Sequence, residues 1–157
     1  MISFSHVFFK DILKDLNFMI EYGEFITILG NNGSGKSTLL NIIAGVLSPT
    51  SGNILIDNEN VTSLSSSKKD LWRGDHLGYV FQNFNLISYL NILENIMLPT
   101  KFSRIRKSKS DLKRAMELIE RMNLKDFLNQ SVNDLSIGQQ QRVALCRALI
   151  GDPKLLL

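Results

Sequence analysis

The sequence predicts an α/β fold in which strands dominate the first half and helices fill residues 83–150. Three observations support this prediction. Short apolar stretches bounded by turn residues recur through the first half, as strands do. In the second half, apolar side chains recur at helical spacing. A glycine-rich loop joins one apolar stretch to a helical run, which is an arrangement typical of α/β folds.

The strands are predicted from apolar runs. Residues 2–9 alternate imperfectly between apolar and polar side chains, and residues 16–20 end at a turn over 21–24. The run 25–29 is apolar throughout, which predicts a buried parallel strand. Shorter runs predict strands at 53–57 and 77–81, and a last buried strand that begins at 154.

The helices are predicted from spacing and from their end signals. One helix begins at 37 and stops near 47, before the turn cluster 48–52. Residues 64–69 are read as a loop or the start of a helix. Ser110 is expected to cap a helix whose apolar face carries Leu112, Ala115, Met116, Ile119 and Met122. The last helix is expected over 138–150, where Gly151 and Pro153 end it.

Bulk properties exclude several classes of protein. With 157 residues, 44% of them hydrophobic and 21% charged, the chain is long enough for one domain and is not disordered. A net charge of +3 does not indicate nucleic-acid binding. The single Cys146 is expected in the core, and His6 and His76 lack metal-ligand spacing. Neither a signal peptide nor an apolar run near 18 residues is found.

The glycine-rich loop carries the strongest functional signal. Residues 30–38 read GNNGSGKST and fit the pattern G-x-x-x-x-G-K-[ST] of a phosphate-binding loop. We call these nine residues the phosphate loop. Its glycines let backbone N–H groups approach an anion, and a helix begins directly after it. Lys36 is expected to reach the β- and γ-phosphates of a nucleotide, and Ser37 to ligate Mg²⁺.

Two further stretches give the chain a family resemblance. Gln82 follows the predicted strand 77–81, and the sequence LSIGQ over 135–139 opens the last helix. With the phosphate loop, these stretches resemble the ATP-binding cassette (ABC) ATPases, in the family's order and over the whole chain. The stretch 79–86 is most similar to the bacterial subclass that serves lipoprotein release, macrolide export and the division-associated complex.

The resemblance implies a fold and a set of site residues. The fold would be a P-loop NTPase core with N-terminal antiparallel strands over 1–82, a helical signature subdomain over 83–150, and the start of the Walker B strand over 151–157. Lys36 and Gln82 would be catalytic, and Ser37 and Gln82 would bind the metal. The nucleotide would be held by Gly30, Asn31, Asn32, Gly33, Ser34, Gly35, Lys36, Ser37 and Thr38, and from a second subunit by Ser136, Gly138 and Gln139.

The second set of residues also has a physical interpretation of its own. Ser136 offers a hydroxyl, and residues 137–139 offer N–H groups at a helix N-terminus, which together favour an anion. A serine that merely caps the helix is the simpler alternative. In the family this motif closes on the γ-phosphate held by the other subunit, so the chain is expected to dimerise head to tail.

Three departures from the family pattern stand out. Ile137 replaces the family's usual glycine and could require a different backbone angle. Without a gap, Asp11 aligns with the residue that stacks on adenine in the family; Phe8 or Phe9 could substitute if the turn is shorter, and the alternative is that both pack in the core. The Walker B acidic pair and the switch histidine are absent, so the sequence is expected to be a fragment, incomplete at the C-terminus, that is inactive alone.

The expected function is therefore that of an ABC transporter ATP-binding subunit. Its cofactors would be ATP and Mg²⁺, and its partners a second ATP-binding subunit and an integral membrane permease, with no nucleic acid. It would be cytoplasmic and peripheral on the inner face of the membrane. The alternatives are a non-transport ABC ATPase, whose basic run over 101–114 could contact nucleic acid, and a non-catalytic ATP-binding module. A GTPase fits less well, because 75–78 matches only the short pattern D-x-x-G.

Overall fold

The computed structural model describes all residues, 1–157, and they form two compact units, 1–70 and 71–157. The division lies within a helix rather than at a loop, because helix Ser66–His76 spans it. The boundary predicted after Gln82 would separate two subdomains of the family's fold, and it stays a prediction.

The first unit is built on an antiparallel sheet. Its strands are β1 (Ile2–Phe9), β2 (Leu13–Ile20), β3 (Ser51–Ile56) and β4 (Glu59–Asn60), in the order β2-β1-β3-β4. The predicted strands at 2–9, 16–20 and 53–57 are thus confirmed. The central strands bury Phe4, Val7 and Ile54 in the core, and a shift of register between Phe4 and Val7 interrupts the alternation along β1.

The predicted strand at 25–29 is wrong. These residues are in no strand, and Phe25 and Leu29 are 96% and 85% exposed. An apolar run becomes a buried strand only beside partners that pair its backbone and cover both faces. The sheet of the first unit does not include the run, so its composition alone does not make it a strand. The helix that follows it, α1 (Lys36–Ile43), forms as predicted but ends earlier.

The second unit is mainly helical. It comprises the C-terminal half of α2 (Ser66–His76), then α3 (Ile92–Met97), α4 (Arg104–Lys109), α5 (Leu112–Arg121) and α6 (Ile137–Leu149), with a parallel pair formed by β5 (Leu77–Gly78) and β6 (Leu155–Leu156). Its core lies where α3, α5 and α6 meet, and Ile96, Ile119 and Val143 are fully buried there.

Two details of the second unit correct the sequence analysis. The strand predicted at 77–81 is shorter: β5 covers only 77–78, a last backbone hydrogen bond joins the Val80 N–H to the Leu157 carbonyl at 2.8 Å, and the chain then turns at 81–84. Asp111, not Ser110, caps α5: its carboxylate accepts a hydrogen bond from the Arg114 N–H at 2.8 Å. Ser110 instead ends α4 in an extended conformation. No helix of the structure is both long and apolar enough to cross a membrane.

Candidate functional site

The phosphate loop is shaped by glycines at backbone angles that other residues rarely adopt. Gly33 and Gly35 have φ angles of 82° and 91°, in the left-handed region that favours glycine. A Cβ on Gly35 would lie 2.7 Å from Cγ2 of Ile12, so the loop also packs closely on the β1–β2 hairpin. Gly35 is the N-cap of α1 and offers no side chain of its own, which leaves the first N–H groups of the helix to bind other acceptors.

Lys36 curls back over the phosphate loop. Its ammonium donates to the carbonyl oxygens of Gly30 at 2.8 Å and Asn31 at 2.7 Å. The Ser34 N–H also donates to the Asn31 carbonyl, at 3.2 Å, which closes a turn within the loop. Because an ammonium has three donors, Lys36 can hold the loop in shape and still offer a proton to an anion. The cation and the helix N-terminus therefore converge on one small region.

Ser37 and Thr38, the two hydroxyl residues after Lys36, lie in the first turn of α1. Ser37 is exposed, its hydroxyl makes no hydrogen bond, and α1 has no acidic residue in its first turn. No group of three or more His, Cys, Asp or Glu side chains is placed to hold a metal ion. A divalent cation at this position would therefore take most of its ligands from phosphate oxygens, as Mg²⁺ usually does when it binds a nucleotide.

The residues considered for adenine stacking lie at the end of β1. Phe8 is 37% exposed, and Phe9 is half-buried with the Lys10 ammonium 5.4 Å from its ring centre. Asp11 is exposed in the turn that follows. The choice among these residues stays a prediction.

Gln82 lies in a tight turn of the second unit. The Phe84 N–H donates to the Phe81 carbonyl at 3.0 Å, so Gln82 and Asn83 are the two central residues of a β-turn. We call residues 81–84 the Gln82 turn. All three residues from Phe81 to Asn83 are exposed, and the Phe81 ring stacks on Tyr79 at 4.4 Å between centroids.

Ser136 caps α6 through a reciprocal pair of hydrogen bonds. Its Oγ accepts from the Gln139 N–H at 3.3 Å, and the Gln139 Oε1 accepts from the Ser136 N–H at 2.7 Å. The serine is therefore a helix cap, as the simpler interpretation holds. These two hydrogen bonds leave other donors for an anion, because the hydroxyl proton of Ser136 and the N–H groups of Ile137 and Gly138 remain available.

Ile137 does not distort the start of α6. It is the first helical residue, it has no positive φ, and its side chain is 75% exposed. A Cβ on Gly138 would meet nothing within 4 Å, so the fold itself does not require a glycine there. The unusual backbone angle considered for Ile137 is absent.

The structure thus gathers the predicted residues into two groups. Residues 30–38 form one group in the first unit. Gln82, Ser136, Gly138 and Gln139 belong to the second unit, where Ser136 and Gln139 are in direct contact.

Sequence analysis missed two buried arginines of the second unit. Arg147 donates to the carbonyls of Phe84 and Asn85, and Arg106 donates to those of Leu77 and Ile150. Arg147 could have been noticed in the sequence, because it is a cationic residue within the apolar run of α6. No sequence pattern, however, identifies a backbone carbonyl as the partner.

Cys146 belongs to the core, as predicted. Its side chain is fully buried, and burial raises the pKa of the thiol to about 11. At neutral pH the thiol is therefore protonated and a poor nucleophile.

Comparison with known proteins gives the family of the chain. A family described as ABC transporter matches residues 13–157. An uncharacterized ABC transporter ATP-binding protein, MJ0796 of Methanocaldococcus jannaschii, is 44% identical over 148 residues, which cover 92% of this chain and 63% of the relative. The chain therefore spans less than two thirds of that relative's length.

Solved structures of the relative are similar over almost the whole chain. The dimeric structure of MJ0796, described as a bacterial ABC transporter cassette, is 40% identical with a TM-score of 0.86, and the match covers 99% of this chain and 72% of the other. A dimeric post-hydrolysis state bound to ADP and Pi is 39% identical, with the same TM-score and coverage. Sequence and fold agree, and the chain belongs to the ABC transporter family.

Proposed function

We propose that this chain is the ATP-binding part of an ABC transporter subunit, and that the full-length protein hydrolyses ATP to drive a membrane permease. The observation that carries the proposal is the phosphate loop, in which Lys36 and the first N–H groups of α1 converge. The similar structure with bound ADP and Pi supports this interpretation. Hydrogen bonds from charged donors contribute about 1.5–3 kcal/mol each, so such a loop suits a polyphosphate.

Mg²⁺ would be held by the nucleotide's phosphates, the Ser37 hydroxyl and the Gln82 side-chain oxygen. All of these are hard oxygen ligands, as Mg²⁺ prefers. When bound, the ion supplies charge neutralisation at the phosphates. Lys36 would contact the β- and γ-phosphates, and Gln82 would respond to the γ-phosphate.

A second copy of the chain would complete each site. The Ser136 hydroxyl and the free Gly138 N–H group, with Gln139 beside them, suit the γ-phosphate held by the partner's phosphate loop. The dimeric state of the similar cassette supports a homodimer, and the two separate half-sites on one chain favour a head-to-tail arrangement. In this arrangement ATP lies between the subunits and holds them together.

The permease would dock on the surface that follows Gln82, over residues 83–90, and would place the protein at the inner face of the membrane. Tyr89, 84% exposed, is a large side chain available there. The likeness of 79–86 to the lipoprotein-release, macrolide-export and division-associated subclass supports an assignment within that group.

The basic run over 101–114 gives little support to a nucleic-acid partner. Arg106 is buried, and Arg114 is paired with Asp152 at 2.9 Å and with Glu117 at 3.5 Å. Copurification of the full-length protein with a membrane permease supports transport, whereas salt-sensitive binding to DNA or ribosomes would favour a non-transport ABC ATPase.

Lys36→Ala tests the nucleotide site directly. The variant loses a charged donor with two or more hydrogen bonds, so we expect the Kd for ATP to rise by about 100-fold. Binding is measured with the full-length protein and a fluorescent ATP analogue. Lys68→Ala is the matched control, since it removes an exposed lysine of α2 and should bind ATP normally. Equal affinity in the Lys36→Ala variant and the wild type would disprove the site.

A further inference from the structure

The residues just after Gln82 have a constrained backbone. Phe84 and Asn85 have φ angles of 57° and 48°, in the left-handed region. Asparagine accepts this conformation comparatively well, but phenylalanine rarely adopts it. Such angles persist only where the surroundings determine them, and they cluster at functional sites.

Arg147 of α6 provides the contact that holds these residues. Its Nη1 donates to the Asn85 carbonyl at 2.7 Å, and its Nη2 donates to the Phe84 carbonyl. The residue is only 9% exposed, and it takes part in none of the ion pairs. Burial without a carboxylate lowers the pKa of Arg147. The planar fork of a guanidinium suits two adjacent carbonyls, whereas an ammonium is a single point of charge.

A second arginine holds the other end of the same segment. Arg106 of α4, 2% exposed, donates to the Leu77 carbonyl in β5 and to the Ile150 carbonyl, 3.1 Å away, at the end of α6. The backbones of β5 and α6 also approach closely, because a Cβ on Gly78 would lie 2.4 Å from the Ala148 carbonyl oxygen. Residues 77–85 are thus fastened to the last turn of α6 at both ends.

We propose that Arg147 is a positioning residue that fixes the Gln82 turn to α6, so that Gln82 and Ser136 at the helix's other end respond to nucleotide as one body. This inference rests on the proposed roles of Gln82 and Ser136. At about 1.5 Å per residue, the 13 residues of α6 form a continuous helix roughly 20 Å long between the two positions. A shift of the Gln82 turn is thereby passed to the Ser136 end without a separate hinge.

The test compares Arg147→Met and Arg147→Lys with the wild type in the full-length protein. Methionine keeps much of the side-chain bulk but donates no hydrogen bond, and lysine keeps the charge without the fork. We expect the methionine variant to bind ATP within about twofold of the wild type, because the phosphate loop is untouched, while kcat falls roughly 10- to 100-fold. Lysine should restore part of kcat.

Hydrogen exchange supplies a readout that does not depend on activity. In Arg147→Met the N–H groups of residues 83–86 should exchange faster, while those in the middle of α6 keep their protection. Arg121→Met, on the exposed end of α5, is the control and should match the wild type. If Arg147→Met fails to fold, Arg147→Lys decides the question with the same readouts.

Unchanged kcat together with unchanged exchange at 83–86 would overturn the positioning role. So would a lower melting temperature with normal kcat per folded molecule, since that describes a purely structural arginine. Failure of the proposed function looks different, because the wild type itself would then show no ATP hydrolysis.

Discussion

At the scale of single residues, two glycines of the second unit differ in whether the fold itself requires them. Gly78 is fixed by the fold, because a Cβ there would lie 2.4 Å from a backbone oxygen of α6. Gly138 faces open space and is exposed, so no neighbour within the chain explains it. A glycine that the folded chain does not require is consistent with the close approach of something outside the chain.

Alanine at these two glycines should therefore give opposite results. Gly78→Ala should lower the free energy of unfolding by about 1–3 kcal/mol, since backbone must move to admit the Cβ. Gly138→Ala should leave stability within about 1 kcal/mol of the wild type, because alanine favours helix, and should weaken ATP-driven dimerisation. Urea unfolding and light scattering measure the two effects. A strongly destabilised Gly138→Ala variant would contradict the open surroundings of this residue.

At the scale of elements, short loops are held by single buried side chains. Asn95 of α3 is fully buried; its Oδ1 accepts from the Ile87 N–H at 2.8 Å, and its Nδ2 donates to three carbonyls of the same loop at 3.0–3.1 Å. Gln140 of α6 similarly donates to the Leu135 carbonyl at 3.1 Å, directly before Ser136. The segments that present the proposed site residues are thus fixed by the helices beneath them.

Asn95→Leu tests this arrangement. Leucine has a similar volume but satisfies none of the loop's polar groups, so we expect a loss of about 2–3 kcal/mol in the free energy of unfolding. Asn133→Leu is the matched control, because Asn133 is exposed and its side chain makes no hydrogen bond. Equal urea midpoints for both variants would show that the loop does not depend on Asn95.

The elements also show what a sequence can predict. β1 and α6 were predictable, because their apolar residues and end signals are local, whereas β2 was predicted only in its second part, 16–20. The run 25–29 was not, because whether an apolar segment becomes a strand depends on partners far along the chain. The N-cap of α5 was placed one residue early, since Ser110 and Asp111 are both good caps and only the folded geometry chooses between them.

At the scale of the whole molecule, the proposed nucleotide-binding groups are divided between the two units. The phosphate loop belongs to residues 1–70, and Gln82 and Ser136 belong to 71–157. The sequence predicted the members of both groups, because the phosphate loop, the stretch around Gln82 and residues 135–139 are each short runs with local chemistry. The arginine contacts with Phe84 and Leu77 could not be predicted, since they join residues 63 and 29 positions apart through backbone atoms.

Ser136→Arg tests the proposed dimer. A long cation at the start of α6 should block the approach of the partner's phosphate loop, so ATP should no longer drive dimerisation of the full-length protein. ATP binding by the monomer should remain normal. Ser131→Arg, which removes the cap of the neighbouring short helix 132–134, controls for the loss of a cap. A normal ATP-driven dimer in Ser136→Arg would contradict the head-to-tail arrangement.

The arginine contacts also bear on how this surface can change during evolution. Arg147 holds carbonyl oxygens, which every amino acid possesses, and so it recognises no particular side chain at 84 or 85. The limits on sequence there come from the left-handed backbone, which asparagine, aspartate and glycine satisfy. The exposed side chain of Asn83, which has no positive φ, can therefore diverge between paralogues and adapt to new docking partners, while the turn that carries Gln82 keeps its place.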